Sequence, residues 1–247
     1  LLGLVSATER IVCIEEAAEL RPDHPHVLHL QERGDNVQGA GAVPMSALVR
    51  TALRMRPDRI VLGECRGPEV RDVLTALNTG HEGGWATLHA NSPADVPARL
   101  TALGALAGLD ETAVAAQAVS ALDAVIHLRR SGATGGGIAG RRSPREGTAE
   151  RSSTRGSDGP DSCASPEQDA MSSRSSRTRR YVSGIGMLRR GAQGSLVCED
   201  ALVVALDGAA GTVCAVSAGP AVDRLAERIG AAPVAAAMKG GTSWTPL

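Results

Sequence analysis

The sequence predicts an α/β fold with a mainly parallel sheet, and three observations carry that prediction. From residue 1 to about 130, apolar runs of strand length alternate with stretches of helical period. Two of the runs, Arg10 to Ile14 and Arg59 to Gly63, are unbroken after their first residue, as strands covered on both faces are. The chain also has one Tyr, two Trp and no Phe among 247 residues, so its core must be built from Ala, Val, Leu and Ile.

Each element follows from local pattern. Arg10 to Ile14 reads as a strand and Val27 to Leu30 as a short one, while Met45 to Met55, after Pro44, has helical spacing. Arg59 to Gly63 is a buried strand bounded by Pro57 and Asp58. Pro68 to Asn78 is a helix closing at Gly80, and Trp85 to His89 is a strand. Ser92 is expected to cap a helix with Pro93 in its first position, where orphan amides meet a side-chain oxygen. Asp110 starts an Ala-rich helix, and Ala124 to Leu128 returns as a strand.

Composition then divides the chain into three zones. Residues 1–130 hold 12 Arg against 16 Asp and Glu; residues 131–178 are Ser, Gly, Arg and Pro with few aliphatic side chains. That middle zone cannot offset the entropy of ordering and is expected to be a disordered insert. Residues 179–247 resume with a predicted β-hairpin (Tyr181-Val182 and Ser195 to Val204), a short helix from Ala221 to Ile229 and a loose Ala/Gly-rich end.

Several function classes are disfavoured at once. Three aromatic rings make base-stacking on single strands a poor reading. The basic middle segment, nine Arg against six acids over 131–180, is a weak electrostatic footprint, so no specific nucleic-acid partner is expected. Five cysteines without a Cys-x-x-Cys pair argue against a disulfide framework. The single lysine, Lys239, has no glycine-rich turn before it and cannot be a P-loop lysine.

Four clusters offer chemistry. Glu15, Glu16 and Glu19 follow a buried strand, where open α/β sheets bind ligands and where carboxylates suit Mg2+; the same spacing suits a solvated acidic turn. Glu64 ends the second buried strand, with Arg66 just after it and Arg50, Arg54 and Arg56 before it. A carboxylate so placed can hold water and Mg2+, and guanidinium forks match phosphate oxygens. Arg50 and Arg54 also fit the outer face of one helix. The third cluster runs from Thr79 to Ser92 and brings His81, Thr87 and His89 around a Gly-rich loop. The fourth, His24, His26 and His29, invites a zinc reading, but odd spacing on a strand points His26 and His29 to opposite faces and favours structural roles.

In this order the clusters resemble the secretion ATPases of type II and type IV secretion and of type IV pili, most closely the tight-adherence (Flp) pilus assembly branch. Residues 10–20 (RIVCIEEAAEL) are similar to that family's acidic box. Residues 48–70 (LVRTALRMRPDRIVLGECRGPEV) are similar to its arginine helix and Walker B strand, and residues 77–93 (LNTGHEGGWATLHANSP) to its histidine box. The resemblance implies a RecA-like P-loop NTPase core, working as a homo-hexamer at the cytoplasmic face of the inner membrane. ATP as substrate, Mg2+ as cofactor, and inner-membrane pilus or secretion platform proteins as partners come with it.

Residue by residue, the resemblance implies that Glu64 is the Walker B carboxylate, orienting water and supporting Mg2+. Glu16 stands where the family usually has Asp and shares that role, and His89 lies near the γ-phosphate. Glu15, Glu19, Arg50, Arg54, Arg66, His81 and Thr87 become nucleotide, phosphate or subunit-interface residues. It further implies that Leu1 to Val5 ends the helix that follows a P-loop. The expectation is therefore an amino-terminally truncated fragment with little ATP affinity of its own and an unpaired sheet edge. The alternative is a non-catalytic oligomeric or adaptor remnant of the same fold.

Overall fold

The computed structural model describes residues 2–35, 41–81, 83–131, 179–206 and 213–239. The expected disordered insert, residues 131–178, lies outside the described residues from 132 onward. Leu1–Arg129 and Tyr181–Leu247 together form one compact unit.

The first sheet is built from β1 (Ile11–Glu15), β2 (Val27–Gln31), β3 (Arg59–Leu62) and β4 (Trp85–Ala86), in the order β2-β1-β3-β4. All three pairings are parallel, with Ile14 opposite Leu62 and Leu62 opposite Ala86. Period-two alternation splits the aliphatic strands between two faces. Val12, Ile14, Ile60 and Leu62 enter the main core, whereas Ile11, Cys13 and Val61 form a smaller cluster with Leu2, Val5, Leu20 and Val27. Both faces are thus apolar, which is why the runs read as continuous. Leu2–Leu4 is a single 3-10 turn.

Helices α1 (Met45–Arg54), α2 (Glu69–Asn78), α3 (Val96–Leu106) and α4 (Glu111–Ala121) supply most of the rest of that core, which Cys65, Leu188 and Leu196 complete. In α1 the buried residues are Met45, Leu48, Val49 and Ala52, the spacing of one helical face. Asp110 caps α4 by accepting from the Ala113 N–H at 2.7 Å. Gly104 lies directly against Val114, and any Cβ there would collide with that side chain, so glycine sets how closely α3 and α4 approach.

Four elements differ from expectation. Strand β4 stops at Ala86 rather than reaching His89, because its partner β3 has ended; the Thr87 N–H still donates to the Leu62 carbonyl at 3.2 Å, but the Thr87 carbonyl accepts from a loop amide, Cys65, at 2.7 Å. Ser92 does not cap a helix amide. Its hydroxyl bonds the Asp95 carboxylate at 2.9 Å, and a 3-10 turn, Pro93–Asp95, intervenes before α3. The predicted hairpin is larger than expected: β5 (Val125–Ser131), β6 (Arg179–Arg190), β7 (Leu196–Leu206) and β8 (Val213–Ala218) form a second sheet in that order. Pairs β6–β7 and β7–β8 are antiparallel. Beyond α5 (Val222–Ile229), the tail expected to be loose forms α6 (Ala231–Lys239), consistent with the high helix propensity of its alanines.

Strand β4 is an edge of the parallel sheet, and both of its residues are exposed. No further strand pairs with it among the described residues. No helix among them is long and apolar enough to cross a membrane.

Candidate active site at the carboxyl end of the parallel sheet

Parallel strands deliver their carboxyl ends to one side of the sheet, so the residues after β1, β3 and β4 meet there. Glu16 follows β1, Glu64 and Arg66 follow β3, and Thr87 and His89 follow β4. The close approach of the first two depends on Gly63. Its N–H donates to the Ile14 carbonyl at 2.8 Å, and a Cβ there would stand 2.9 Å from Glu15 Cγ.

The side chains converge on Glu64. Its Oε1 lies 3.2 Å from His89 Nε2 and its Oε2 3.5 Å from Arg66 Nε. The Arg66 guanidinium also pairs with Glu16, so one cation bridges two carboxylates carried by different strands. Glu64 is the most sheltered of the four at 29% side-chain exposure, whereas His89 is 87% exposed and can turn toward a bound molecule. Among the described residues no group of three His, Cys, Asp or Glu side chains could hold a metal ion. Two carboxylates are nevertheless a fitting donor set for Mg2+, which takes one or two protein carboxylates and completes its shell with waters and substrate phosphates.

The backbone around this cluster is tied down. The Thr87 hydroxyl donates to the Gly63 carbonyl, which orients it into the strand end rather than outward. Glu15 is buried, and its Oε1 accepts from the Glu19 and Leu20 N–H groups at 3.0 and 2.9 Å, closing the turn from which Glu16 projects. Its Oε2 has no hydrogen-bond partner and lies 3.7 Å from His29 Nδ1. Glu19 enters that turn through its amide while its side chain is exposed.

The remaining sequence-selected residues are not brought into the cluster. Arg50 pairs with Asp72 at 2.9 Å across α1 and α2. Arg54 is exposed in the last turn of α1, where a cation complements the helix dipole. His81 Nδ1 lies 3.2 Å from the Ala76 carbonyl at the end of α2. The three histidines before and within β2 have protein partners too. His24 Nε2 is 2.9 Å from the Ser6 carbonyl, His26 Nε2 accepts from Arg10 Nε at 3.2 Å, and His29 faces Glu15.

Cys65, between Glu64 and Arg66, is buried; burial first, and then the nearby Glu69 carboxylate, push its thiol up to about 12. A thiol so raised stays protonated near neutral pH and is a poor nucleophile, so the reactive groups at this site are carboxylate, imidazole and guanidinium. Reading the sequence missed Glu69, the first residue of α2. Its Oε1 accepts from the Arg66 and Gly67 N–H groups, both at 2.7 Å. The available signal was an acid in a helix's first turn just after a proline.

The family described as type II/IV secretion system protein matches residues 1–175. A putative conjugal transfer protein of Mycobacterium tuberculosis strain H37Rv is 59% identical over 130 residues, covering 53% of this chain and 37% of that protein. The type IV secretion system protein PtlH of Bordetella pertussis is 44% identical over 106 residues, covering 41% of this chain and 30% of that protein. Among solved structures, the VirB11 ATPase of the Brucella suis type IV secretion system shares 29% identity over 50% of this chain and 37% of that one, with a TM-score of 0.43. The chain therefore spans only 30% to 37% of the length of these relatives. With the matched residues covering the whole first sheet and the carboxylate cluster, the chain belongs to the type II/IV secretion system protein family.

Proposed function

We propose that this chain is the catalytic carboxyl-terminal half of a RecA-like secretion ATPase, hydrolysing ATP to power pilus assembly or secretion, within the tight-adherence branch. The observation that carries the reading is the convergence of Glu16, Glu64, Arg66 and His89 at the carboxyl end of a parallel sheet. In this reading Glu64 accepts a hydrogen bond from the attacking water and aligns it. His89, whose side chain is exposed, donates to a phosphate oxygen. Arg66 releases a carboxylate to neutralise charge on the phosphates, for which a guanidinium fork is suited. Glu64 and Glu16 would hold Mg2+, which when bound screens phosphate charge. Glu15 and Thr87 keep the strand ends in place. Glu19, Arg50, Arg54 and His81, outside the cluster, are assigned to contacts with nucleotide or with neighbouring subunits of a homo-hexamer. The ring is proposed to act peripherally at the cytoplasmic face of the inner membrane, with pilus or secretion platform proteins as partners.

A second reading, a non-catalytic ring-forming or adaptor protein, is favoured by one sequence fact. Lys239 is the single lysine, and no Gly-rich Lys-Thr or Lys-Ser loop occurs in the 247 residues. These residues thus offer the β- and γ-phosphates no glycine-rich amide cradle with its lysine. Phosphate release measured on the protein of the complete reading frame that contains this chain distinguishes the two. Mg2+-dependent turnover, with the 247-residue chain inactive alone, is expected. Absence of turnover from both would leave the second reading standing.

A further inference from the structure

The turn that carries Arg66 is held by a residue to which the function has so far assigned nothing. Glu69 is buried, and one of its carboxylate oxygens receives two backbone donors, the Arg66 and Gly67 N–H groups at 2.7 Å each. Hydrogen bonds to an ionised acceptor are among the stronger ones, and burial keeps water from competing for this one. Gly67 is matched to the contact, since a Cβ there would stand 2.9 Å from Glu69 Oε2. On the other side of the turn the Cys65 N–H donates to the Thr87 carbonyl at 2.7 Å. The link between β3 and α2 is thus fixed at both ends, by β4's continuation and by Glu69. The Arg66 side chain leaves from between these points and meets both Glu16 and Glu64.

We propose that Glu69 is a positioning residue for the hydrolysis described above: by gripping the Arg66 and Gly67 amides it sets the point from which Arg66 reaches the two carboxylates. The inference rests on the ATPase reading of the site. The guanidinium fork is planar and rigid, and Arg66 must meet two carboxylates at once, so a displaced backbone origin costs it one of the two contacts.

The test uses the protein of the complete reading frame. Glu69→Gln keeps an oxygen that accepts both amides and is expected to retain kcat to within about twofold, whereas Glu69→Ala is expected to lose roughly tenfold in kcat with KM nearly unchanged. Combining Glu69→Ala with Arg66→Ala is expected to lower kcat no further than Arg66→Ala alone, because the two residues act in series. Losses that multiply, or a Glu69→Gln variant as impaired as Glu69→Ala, overturn the proposal. If Glu69→Ala does not fold, Glu69→Asp, which keeps the charge but shortens the reach, takes its place with the same expected loss.

Hydrogen exchange at the Arg66 and Gly67 amides gives a readout independent of turnover. Protection is expected in the wild type and in Glu69→Gln and should vanish in Glu69→Ala; protection that persists in Glu69→Ala removes the contact on which the proposal stands. Glu64→Gln separates the two claims. Wild-type turnover in that variant removes Glu64 from the chemistry and with it the assigned site, and the exchange result then decides by itself whether Glu69 holds the turn.

Discussion

Glu64→Gln is expected to lower kcat for ATP hydrolysis by roughly 10²- to 10³-fold in the protein of the complete reading frame. The substitution preserves shape and leaves an amide oxygen near Arg66, but removes the charge that accepts a proton-bearing water and that His89 and Arg66 both face. Its cost in stability should be under about 1 kcal/mol, since the ion pairs it weakens are partly exposed and screened. Phosphate release and thermal unfolding, measured on the same preparation, check both halves. A variant that turned over normally would remove Glu64 from the chemistry, and a large fall in melting temperature would make any lost activity a folding effect.

Leu62→Ala is expected to destabilise the fold by about 2–5 kcal/mol, the range for emptying a large site in a packed core. Leu62 is fully buried, lies opposite both Ile14 and Ala86 in the parallel sheet, and belongs to the cluster that joins β1 and β3 to the helices. It also precedes Gly63 and Glu64, and its carbonyl accepts the Thr87 N–H. The cavity would therefore loosen the strand end that carries Glu64. Urea unfolding of the 247-residue chain checks the magnitude; a loss below about 1 kcal/mol would mean that the site collapses without penalty and that the core is less tightly packed than its burial indicates.

Much of this architecture was legible because the decisive strands are short, aliphatic and bounded. Arg10 to Ile14 and Arg59 to Gly63 sit within one residue of β1 and β3. Once both are parallel, their following acids must share an edge. Cross-element partners were not legible. Arg50 reads equally as a phosphate partner or as a residue on the outer face of a helix, and its pairing with Asp72, 22 residues away at 2.9 Å, is not encoded in spacing. The bridging of Glu16 and Glu64 by Arg66 depends on side-chain reach across two strands, which spacing does not encode. Glu69 looks like an ordinary acid in a helix's first turn, and only its burial and two amide donors mark it out. Strand β8 and helix α6 escaped for another reason: their Ala-rich stretches lack a clear period, so tertiary packing of Val216 and Val234 against the Met187, Leu202 and Leu225 cluster decides them.

The central claim is that the Glu16, Glu64, Arg66 and His89 cluster is where nucleotide and cation meet. The most direct measurement is a crystal structure of the protein of the complete reading frame with Mn2+ and a non-hydrolysable ATP analogue, with the cation located by its anomalous scattering. Mn2+ is expected beside Glu64, held directly or through water, with Arg66 parted from at least one of its two carboxylates and His89 turned toward the terminal phosphate. Mn2+ and nucleotide bound elsewhere, with the Glu16–Arg66–Glu64 bridge intact, would contradict it.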